Sequence, residues 1–120
     1  MTDDAVRVSL RVAATEAERA AAIGAWLQSP HASAASGRRA ILAEGVLFDR
    51  TGPEGVPLVG LAAGCPCCTG SVALRVALAR TLRSARPEAV LLLTAGTEHL
   101  PRLRRILEQG ELGVRFEIEA

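Results

Sequence analysis

The sequence predicts an α/β fold with three layers, in which helices cover both faces of a mostly parallel five-stranded sheet. Strand-like and helix-like segments alternate in the order β-α-β-β-α-β-α-β, which is typical of parallel strands joined by crossover helices. Residues 89–95 form a continuous apolar run between a proline and a glycine, as expected for a strand buried on both faces. A chain of 120 residues is long enough for one α/β domain, which we expect to span residues 1–120.

The first strand and the first helix have clear local signals. Residues 6–12 alternate apolar and polar side chains, which predicts a half-buried strand. Thr15 is a favourable N-cap, and Glu18 three positions later completes a capping box at the start of a helix. Ser29-Pro30 ends this helix, and residues 31–37 are expected to form a loop rich in serine, alanine and glycine. The predicted inward face of the helix consists of Ala22, Ile23, Trp26 and Leu27.

The middle of the chain predicts two more strands and a second helix. Residues 40–43 form an apolar strand with Glu44 at its end, and residues 49–55 form a turn-rich connection. A short strand at 56–61 is followed, after the cysteines, by a helix over about 71–84. The expected inward side chains of that helix are Val72, Val76, Ala79 and Arg83, with Leu74, Leu78 and Leu82 widening its apolar surface.

The end of the chain predicts the third helix and the fifth strand. The helix is expected over residues 98–107 and ends at Gly110, and the strand follows at 113–119, where apolar and polar residues alternate again. The helix directs Leu100, Leu103, Ile106 and Leu107 towards the sheet.

Composition excludes several classes of function. Aromatic residues make up only 2% of the chain and the formal net charge is +1, so we expect neither nucleic-acid binding nor attraction to a membrane surface. All 14 basic residues are arginine. The chain therefore has no lysine for a Schiff base or for a phosphate-binding loop.

Nothing in the sequence indicates export or membrane insertion. The first residues are acidic and have no apolar signal core, and no apolar run reaches the length of a membrane span. We therefore expect a cytoplasmic protein. In that compartment thiols stay reduced, and clustered cysteines more often bind metals or act in catalysis than form structural disulfides.

The cysteine segment, residues 64–69, contains all three cysteines of the chain: Cys65, Cys67 and Cys68. It lies between a predicted strand and a predicted helix, where unpaired backbone N–H groups and the helix dipole favour thiolates. Such a cluster indicates either ligation of a thiophilic metal or thiol redox chemistry. Buried structural cysteines are the alternative, although these seldom occur as a cluster.

Several polar groups are expected to meet the cysteine segment at one edge of the sheet. In a parallel sheet, ligands bind beyond the carboxyl ends of the strands, and both Glu44 and residues 94–97 follow predicted strands. Glu44 is therefore a candidate oxygen ligand or, equally, an ordinary solvent-exposed carboxylate. His99 and His31 are weaker candidates, because a lone histidine is more often a surface residue than a ligand.

The Gly-Cys-Pro-Cys-Cys-Thr sequence of the cysteine segment resembles the Gly-Cys-x-Cys-Cys-Thr signature of the CobW-type GTPases, the metal-chaperone group of P-loop proteins. The likeness spans roughly residues 6–118. Residues 41–44, Ile-Leu-Ala-Glu, are similar to an apolar strand of that family that ends in Asn-Glu. Residues 92–96, Leu-Leu-Thr-Ala-Gly, followed by Leu100-Pro101, match the frame of a later strand and helix.

The chain departs from the family where nucleotide would bind. The family's first strand leads into Gly-x-x-Gly-x-Gly-Lys-Thr, whose backbone and lysine hold phosphates. Residues 13–19 of this chain read Ala-Ala-Thr-Glu-Ala-Glu-Arg, with no glycine and two carboxylates. Leu93 stands where the family has an acidic residue. We expect a P-loop-GTPase-like fold that has lost its P-loop, with no bound nucleotide and no GTP hydrolysis, and any other enzymatic activity is undecided.

The resemblance implies a metal-binding protein that takes part in metal handling, with zinc as the first candidate metal. Cys65, Cys67 and Cys68 would be ligands, and Glu44 is implied as the fourth because family members use the corresponding acidic residue near the metal. Since adjacent cysteines cannot always face one ion, two thiolates with Glu44, or a site shared in a homodimer, are alternatives. The implied partner is a metal-recipient protein. Two other functions stay open: a thiol redox protein that uses the same cysteines, and a non-catalytic interaction subunit.

Overall fold

The chain folds around a six-stranded sheet. A computed structural model describes residues 5–33, 38–46, 48–61, 69–97, 100–108 and 115–119. The strands are β1 (Val6–Val12), β2 (Arg39–Glu44), β3 (Arg50–Thr51), β4 (Pro57–Leu61), β5 (Ala89–Thr94) and β6 (Phe116–Glu119). Their spatial order is β3-β4-β2-β5-β1-β6, and every pairing is parallel except that of β3 with β4.

The described helices are α1 (Glu16–Leu27), α2 (Pro30–Ser33), α3 (Thr69–Ser84) and α4 (Leu100–Glu108). The predicted capping box of α1 is present, with Glu18 N–H donating to Thr15 Oγ1 at 3.1 Å. The loop predicted over residues 31–37 is wrong in its first part, which belongs to α2. Pro30 is pre-organised for the first position of a helix, and the Ser29 hydroxyl accepts a hydrogen bond from the N–H of Ala32. Residues 34–37 lie outside the described part of the chain.

Helices cover both faces of the sheet, as the sequence predicts. On one face Ile23, Trp26 and Leu27 of α1 pack with Leu91 and Leu93 of β5. On the other face α3 and α4 pack with the intervening residues of the same strand. That second core includes Leu74, Leu78, Ile106 and Leu107 from the helices and Val90 and Leu92 from β5. The alternation within β5 confirms the three-layer α/β class and the central position of this strand.

Over residues 6–10, the first strand follows its alternating sequence except at Ser9, since Val6, Val8 and Leu10 are buried and Arg7 is exposed. Ser9 lies on the face opposite Val8 and Leu10, yet it is only 2% exposed. The prediction of a half-buried strand is confirmed there apart from Ser9, which is buried because β1 lies inside the sheet, between β5 and β6. Helices can cover both faces of a strand in that position, so a small polar residue such as Ser9 can be buried.

The sixth strand corrects the predicted count of five. Residues 49–55 were expected to form only a connection, but β3 lies within them and pairs antiparallel with β4. A 3₁₀ turn at Pro53–Gly55 reverses the chain, and the N–H of Gly52 donates to the carbonyl of Val56 at 2.7 Å. A two-residue strand is too short to carry a period-2 pattern, so sequence periodicity does not reveal it.

The inward face of α3 also differs from the prediction. Among the side chains of α3 that the structure describes, over residues 74–84, the buried ones are Leu74, Ala77, Leu78 and Thr81. This i, i+3, i+4, i+7 spacing is the regular inward stripe of a helix. Val76 was expected to face inward, but it is 55% exposed. The predicted inward residues of α4 are confirmed, since Ile106 and Leu107 are buried and Leu100 and Leu103 are partly buried against the same core. Among the described residues, no helix is long and apolar enough to cross a membrane.

Candidate metal site at the carboxyl edge of the sheet

The carboxyl ends of β2 and β4 lie side by side at one edge of the sheet. Glu44, the last residue of β2, is in register with Leu61, the last residue of β4. The N–H of Gly45 donates to the carbonyl of Leu61 at 2.8 Å, which ties the two ends together. The chain continues from Leu61 to the cysteine segment, and α3 begins at Thr69, directly after Cys68. Cys65, Cys67 and Cys68 themselves lie outside the described residues.

Glu44 connects β2 to the end of β5. Its Oε1 atom accepts the N–H of Ala95 at 2.7 Å. The side chain is half-buried, so Glu44 differs from a carboxylate that is free to rotate in solvent. A backbone hydrogen bond of this kind orients a carboxylate, as outer hydrogen bonds orient metal ligands. A carboxylate has about four lone-pair positions, so accepting the N–H of Ala95 does not by itself prevent Glu44 from binding a cation.

The turn after β5 presents the N–H group that Glu44 binds. Thr94 is buried, and its hydroxyl donates to the carbonyl of Gly96 at 2.9 Å. The carbonyl of Thr94 accepts the N–H of Ala13 at 2.8 Å, which links this turn to the end of β1. These bonds explain locally why Ala95 occupies a fixed position next to Glu44. The ends of β1, β2, β4 and β5 therefore converge as expected of a parallel sheet.

The side chains of the two histidines are not among those that the structure describes. His99 lies outside the described residues. His31 belongs to α2, but its side chain is not among those described. Within the described ranges, no group of three histidine, cysteine, aspartate or glutamate side chains is arranged to hold a metal ion. The cysteine segment lies outside these ranges, so the ligand set of three cysteines and Glu44 stays a prediction.

The start of α1 already holds an anion that belongs to the chain. The Glu18 Oε1 atom accepts the N–H of Ala14 at 2.8 Å and the N–H of Thr15 at 3.2 Å. Backbone N–H groups at a helix N-terminus are the groups that bind phosphate in a P-loop. Here an internal carboxylate uses two of them. Leu93, which replaces an acidic residue of the resembling family, is 1% exposed within an apolar core.

Two features of this edge were not found by sequence reasoning. One is the hydrogen bond from Ala95 to Glu44, which joins residues 51 positions apart. The other is the position of Arg19, whose Nη1 atom would lie 3.2 Å from a Cβ placed on Gly45. No local sequence pattern carries either contact. Gly45 has a left-handed backbone, with φ of +92°. The only hint of this in the sequence is the glycine itself, because glycine adopts this conformation without steric cost.

Comparison of the chain with protein-family models, with curated proteins and with solved structures finds no match in any of the three. What the fold defines is therefore a class: a compact α/β protein with a six-stranded, mostly parallel sheet.

Proposed function

We propose that this chain is a metal-binding protein that holds a thiophilic divalent metal, with zinc as the first candidate, at the cysteine segment. The ligands would be Cys65, Cys67 and Cys68, with Glu44 as the fourth. Thiolate sulfur and carboxylate oxygen are both established zinc donors, and four ligands complete the tetrahedral shell of a closed site. The metal would be bound as cargo or as a structural ion.

The observation that carries the proposal is the position of Glu44 next to the point where the chain leaves β4. Glu44 and Leu61 are register partners, and the cysteine segment follows Leu61 within a few residues. The hydrogen bond to Ala95 orients the carboxylate before any metal binds. The start of α3 at Thr69 adds a second support, because a helix N-terminus favours thiolates in the residues just before it.

We further propose that the protein is a CobW-like member of the P-loop class that has lost nucleotide binding. The support is the Gly-Cys-Pro-Cys-Cys-Thr motif, together with a parallel sheet and the Glu18 carboxylate on the N–H groups of Ala14 and Thr15. A protein of this kind would act in metal handling without GTP hydrolysis, and would pass its metal to a recipient protein. A site shared between two copies would make the functional unit a homodimer.

Metal content and thiol protection together test the proposal. Protein purified without chelator and without an affinity tag is expected to contain about one zinc per chain, or about one per two chains for a shared site. Its thiols should react with a thiol reagent only after a chelator is added. Metal-free protein whose thiols react at once would overturn the proposal. A disulfide that forms when glutathione disulfide is added to such protein would favour the thiol redox alternative.

The role of Glu44 is tested by Glu44→Gln, which keeps an oxygen to accept the N–H of Ala95 but removes the negative charge. We expect zinc affinity to fall at least about tenfold while the melting temperature of the metal-free protein changes little, because changing a ligand or its support typically costs 10–100-fold in affinity. Glu54→Gln is the matched control, since Glu54 pairs with Arg39 and lies away from this edge. Unchanged affinity in Glu44→Gln would remove Glu44 from the ligand set.

A further inference from the structure

A second candidate site lies on the face of the sheet that α1 covers. A cavity of about 300 Å³ opens between α1 and the turn that joins β3 to β4; we call it the α1 cavity. Its floor is aliphatic and buried, and consists of Ile23, Leu27, Ala43, Val46 and Leu58. The cysteine segment leads instead into α3, which packs on the opposite face. No residue that lines the α1 cavity is a proposed metal ligand, although Arg19 also lies close to Gly45, the neighbour of Glu44.

The rim of the α1 cavity carries two arginines that have no partner within the described part of the chain. Arg19 is half-buried and Arg50 is exposed, and neither guanidinium forms an ion pair or a hydrogen bond with the described residues. Nearby arginines behave differently, since Arg38 pairs with Glu88 and Arg39 pairs with Glu54. A half-buried guanidinium that lies next to an apolar cavity and has no ion-pair partner among the described residues favours an anionic ligand.

One carboxylate limits the charge of that ligand. Glu16 also lies on the rim, but it forms no ion pair with either arginine. Two guanidiniums and one carboxylate give the rim a net charge of one positive unit, which matches a monoanion better than a doubly charged phosphate. The floor contains no aromatic side chain and no hydrogen-bonding side chain. The rest of the ligand is therefore expected to be aliphatic.

Gly24 is the residue of α1 at which the α1 cavity is bordered by no side chain. Gly24 lies within α1 and lines the cavity, and a Cβ at this position would meet no atom within 4 Å. Glycine in a helix interior is unfavourable compared with alanine, so nothing in the packing or in the helix requires it there. A larger side chain at position 24 would extend into the open space above the floor.

We infer that the α1 cavity binds a small aliphatic carboxylate, with the carboxylate held by Arg19 and Arg50 and the hydrocarbon placed on the buried floor. Guanidinium and carboxylate form paired, charge-assisted hydrogen bonds of good geometry. The cavity volume is at the lower end of the range for small-molecule sites, about 300–1,000 Å³. A compact acid of a few carbons therefore fits the cavity better than a nucleotide or a long fatty acid.

Hexanoate is the probe, and the amide signals of Gly24, Thr51 and Gly52 in ¹H–¹⁵N spectra report on the cavity. We expect saturable shifts at these residues with a Kd on the order of 1 mM, which is typical of so small a ligand. 1-Hexanol has the same tail without the charge, and inorganic phosphate has charge without a tail. Each should bind at least about tenfold more weakly, because a hydrogen bond to a charged group or the burial of several methylenes contributes that much.

Three variants complete the experiment. Arg19→Gln and Gly24→Leu should each weaken hexanoate binding at least about tenfold, the first by removing charge and the second by filling the cavity. Arg83→Gln removes an exposed arginine from α3, on the other face, and should leave binding unchanged. Gly24→Leu is expected to fold, since it replaces a helical glycine; Gly24→Ala gives a smaller obstruction if it does not.

The inference is overturned if hexanoate causes no saturable shifts at the cavity amides. It is equally overturned if Arg19→Gln and Gly24→Leu bind hexanoate as the parent protein does. Phosphate binding as tight as that of hexanoate, and unaffected by Gly24→Leu, would leave only a general attraction of anions to arginine and would also reject it. Since the cysteines take no part, zinc binding and hexanoate binding can fail independently of each other.

Discussion

At the scale of single residues, the backbone conformation of Gly45 is one that favours glycine. Its φ of +92° lies in the left-handed region, and an added Cβ would lie 3.2 Å from Arg19 Nη1. We expect Gly45→Ala to lower the free energy of unfolding by about 1–3 kcal/mol, because alanine is strained in this conformation. Urea unfolding of the metal-free protein measures the change.

Gly24→Ala is the matched control for that experiment. Gly24 lies in α1, and a Cβ there would meet nothing within 4 Å. The same chemical change should therefore raise the free energy of unfolding, by up to about 1 kcal/mol, through helix propensity alone. If both variants change the free energy of unfolding in the same direction, the backbone conformation of Gly45 does not require glycine.

Glu18 is the residue that completes the start of α1. Its carboxylate accepts the N–H groups of Ala14 and Thr15. We expect Glu18→Ala to lower the free energy of unfolding by about 1 kcal/mol, the usual contribution of a helix cap. Glu16→Ala removes the same charge from the same turn but no hydrogen bond of the described chain, so thermal or urea unfolding should show a smaller loss. Equal losses would mean that charge, and not capping, accounts for the effect.

The residue scale also shows which site features a sequence can predict. The capping box was predictable because Thr15 and Glu18 are three positions apart and interact within one helical turn. The bond from Ala95 to Glu44 was not, because it depends on two strands ending at the same edge. The pattern placed Glu44 at a strand end and close to the loop after β5. The specific partner that orients its carboxylate required the register of β2 with β5.

At the scale of elements, α3 shows how a helix of mixed composition chooses its buried face. Leucine and alanine alternate with arginine along α3, and more than one apolar stripe can be drawn on it. The stripe through Leu74 and Leu78 is buried, whereas Val76 is 55% exposed. The two larger leucines bury more apolar surface than a stripe based on valine and alanine. The sequence identified the helix but did not decide between these faces.

Two truncations within α3 test this assignment. Leu78 is 0% exposed, and we expect Leu78→Ala to lower the free energy of unfolding by about 2–5 kcal/mol through lost burial and a residual cavity. Val76→Ala should stay within about 0.5 kcal/mol, as is usual for surface substitutions. Urea unfolding of both variants gives the comparison. If Val76→Ala lowered the free energy of unfolding more than Leu78→Ala does, the buried face would be the one predicted from the sequence, which contains Val76.

At the scale of the whole molecule, the strand order explains why burial is higher than local patterns indicate. β5 lies between β1 and β2, and helices cover both faces, so even Ser9 of β1 is buried. The continuous apolar run of β5 predicted its central place directly. The alternation in β1 did not predict the burial of Ser9, because a polar residue in an interior strand can be buried under a helix. Strand order arises from long-range packing, and no single segment encodes it.

The same strand order predicts where the fold opens first. Leu91 and Leu92 of β5 are almost completely buried, and β5 is hydrogen-bonded to strands on both sides. Their amides should exchange with solvent only through global unfolding, so their exchange free energies should equal the free energy of unfolding from urea. Within the described ranges, β6 pairs only with β1, and β3 pairs only with β4. Amides of these edge strands, such as that of Ile118, should exchange through smaller openings.

Native-state hydrogen exchange followed by NMR measures both sets of amides in one sample. We expect the amides of β5 to exchange more slowly than those of β6. An interior strand loses two ladders of hydrogen bonds and two packed faces when it opens, whereas an edge strand loses one ladder. Exchange free energies that are equal for Leu92 and Ile118 would mean that the sheet opens as a single unit. The edge strands would then open only with the central strand. We do not expect this, because the described side chains of the edge strands are partly exposed.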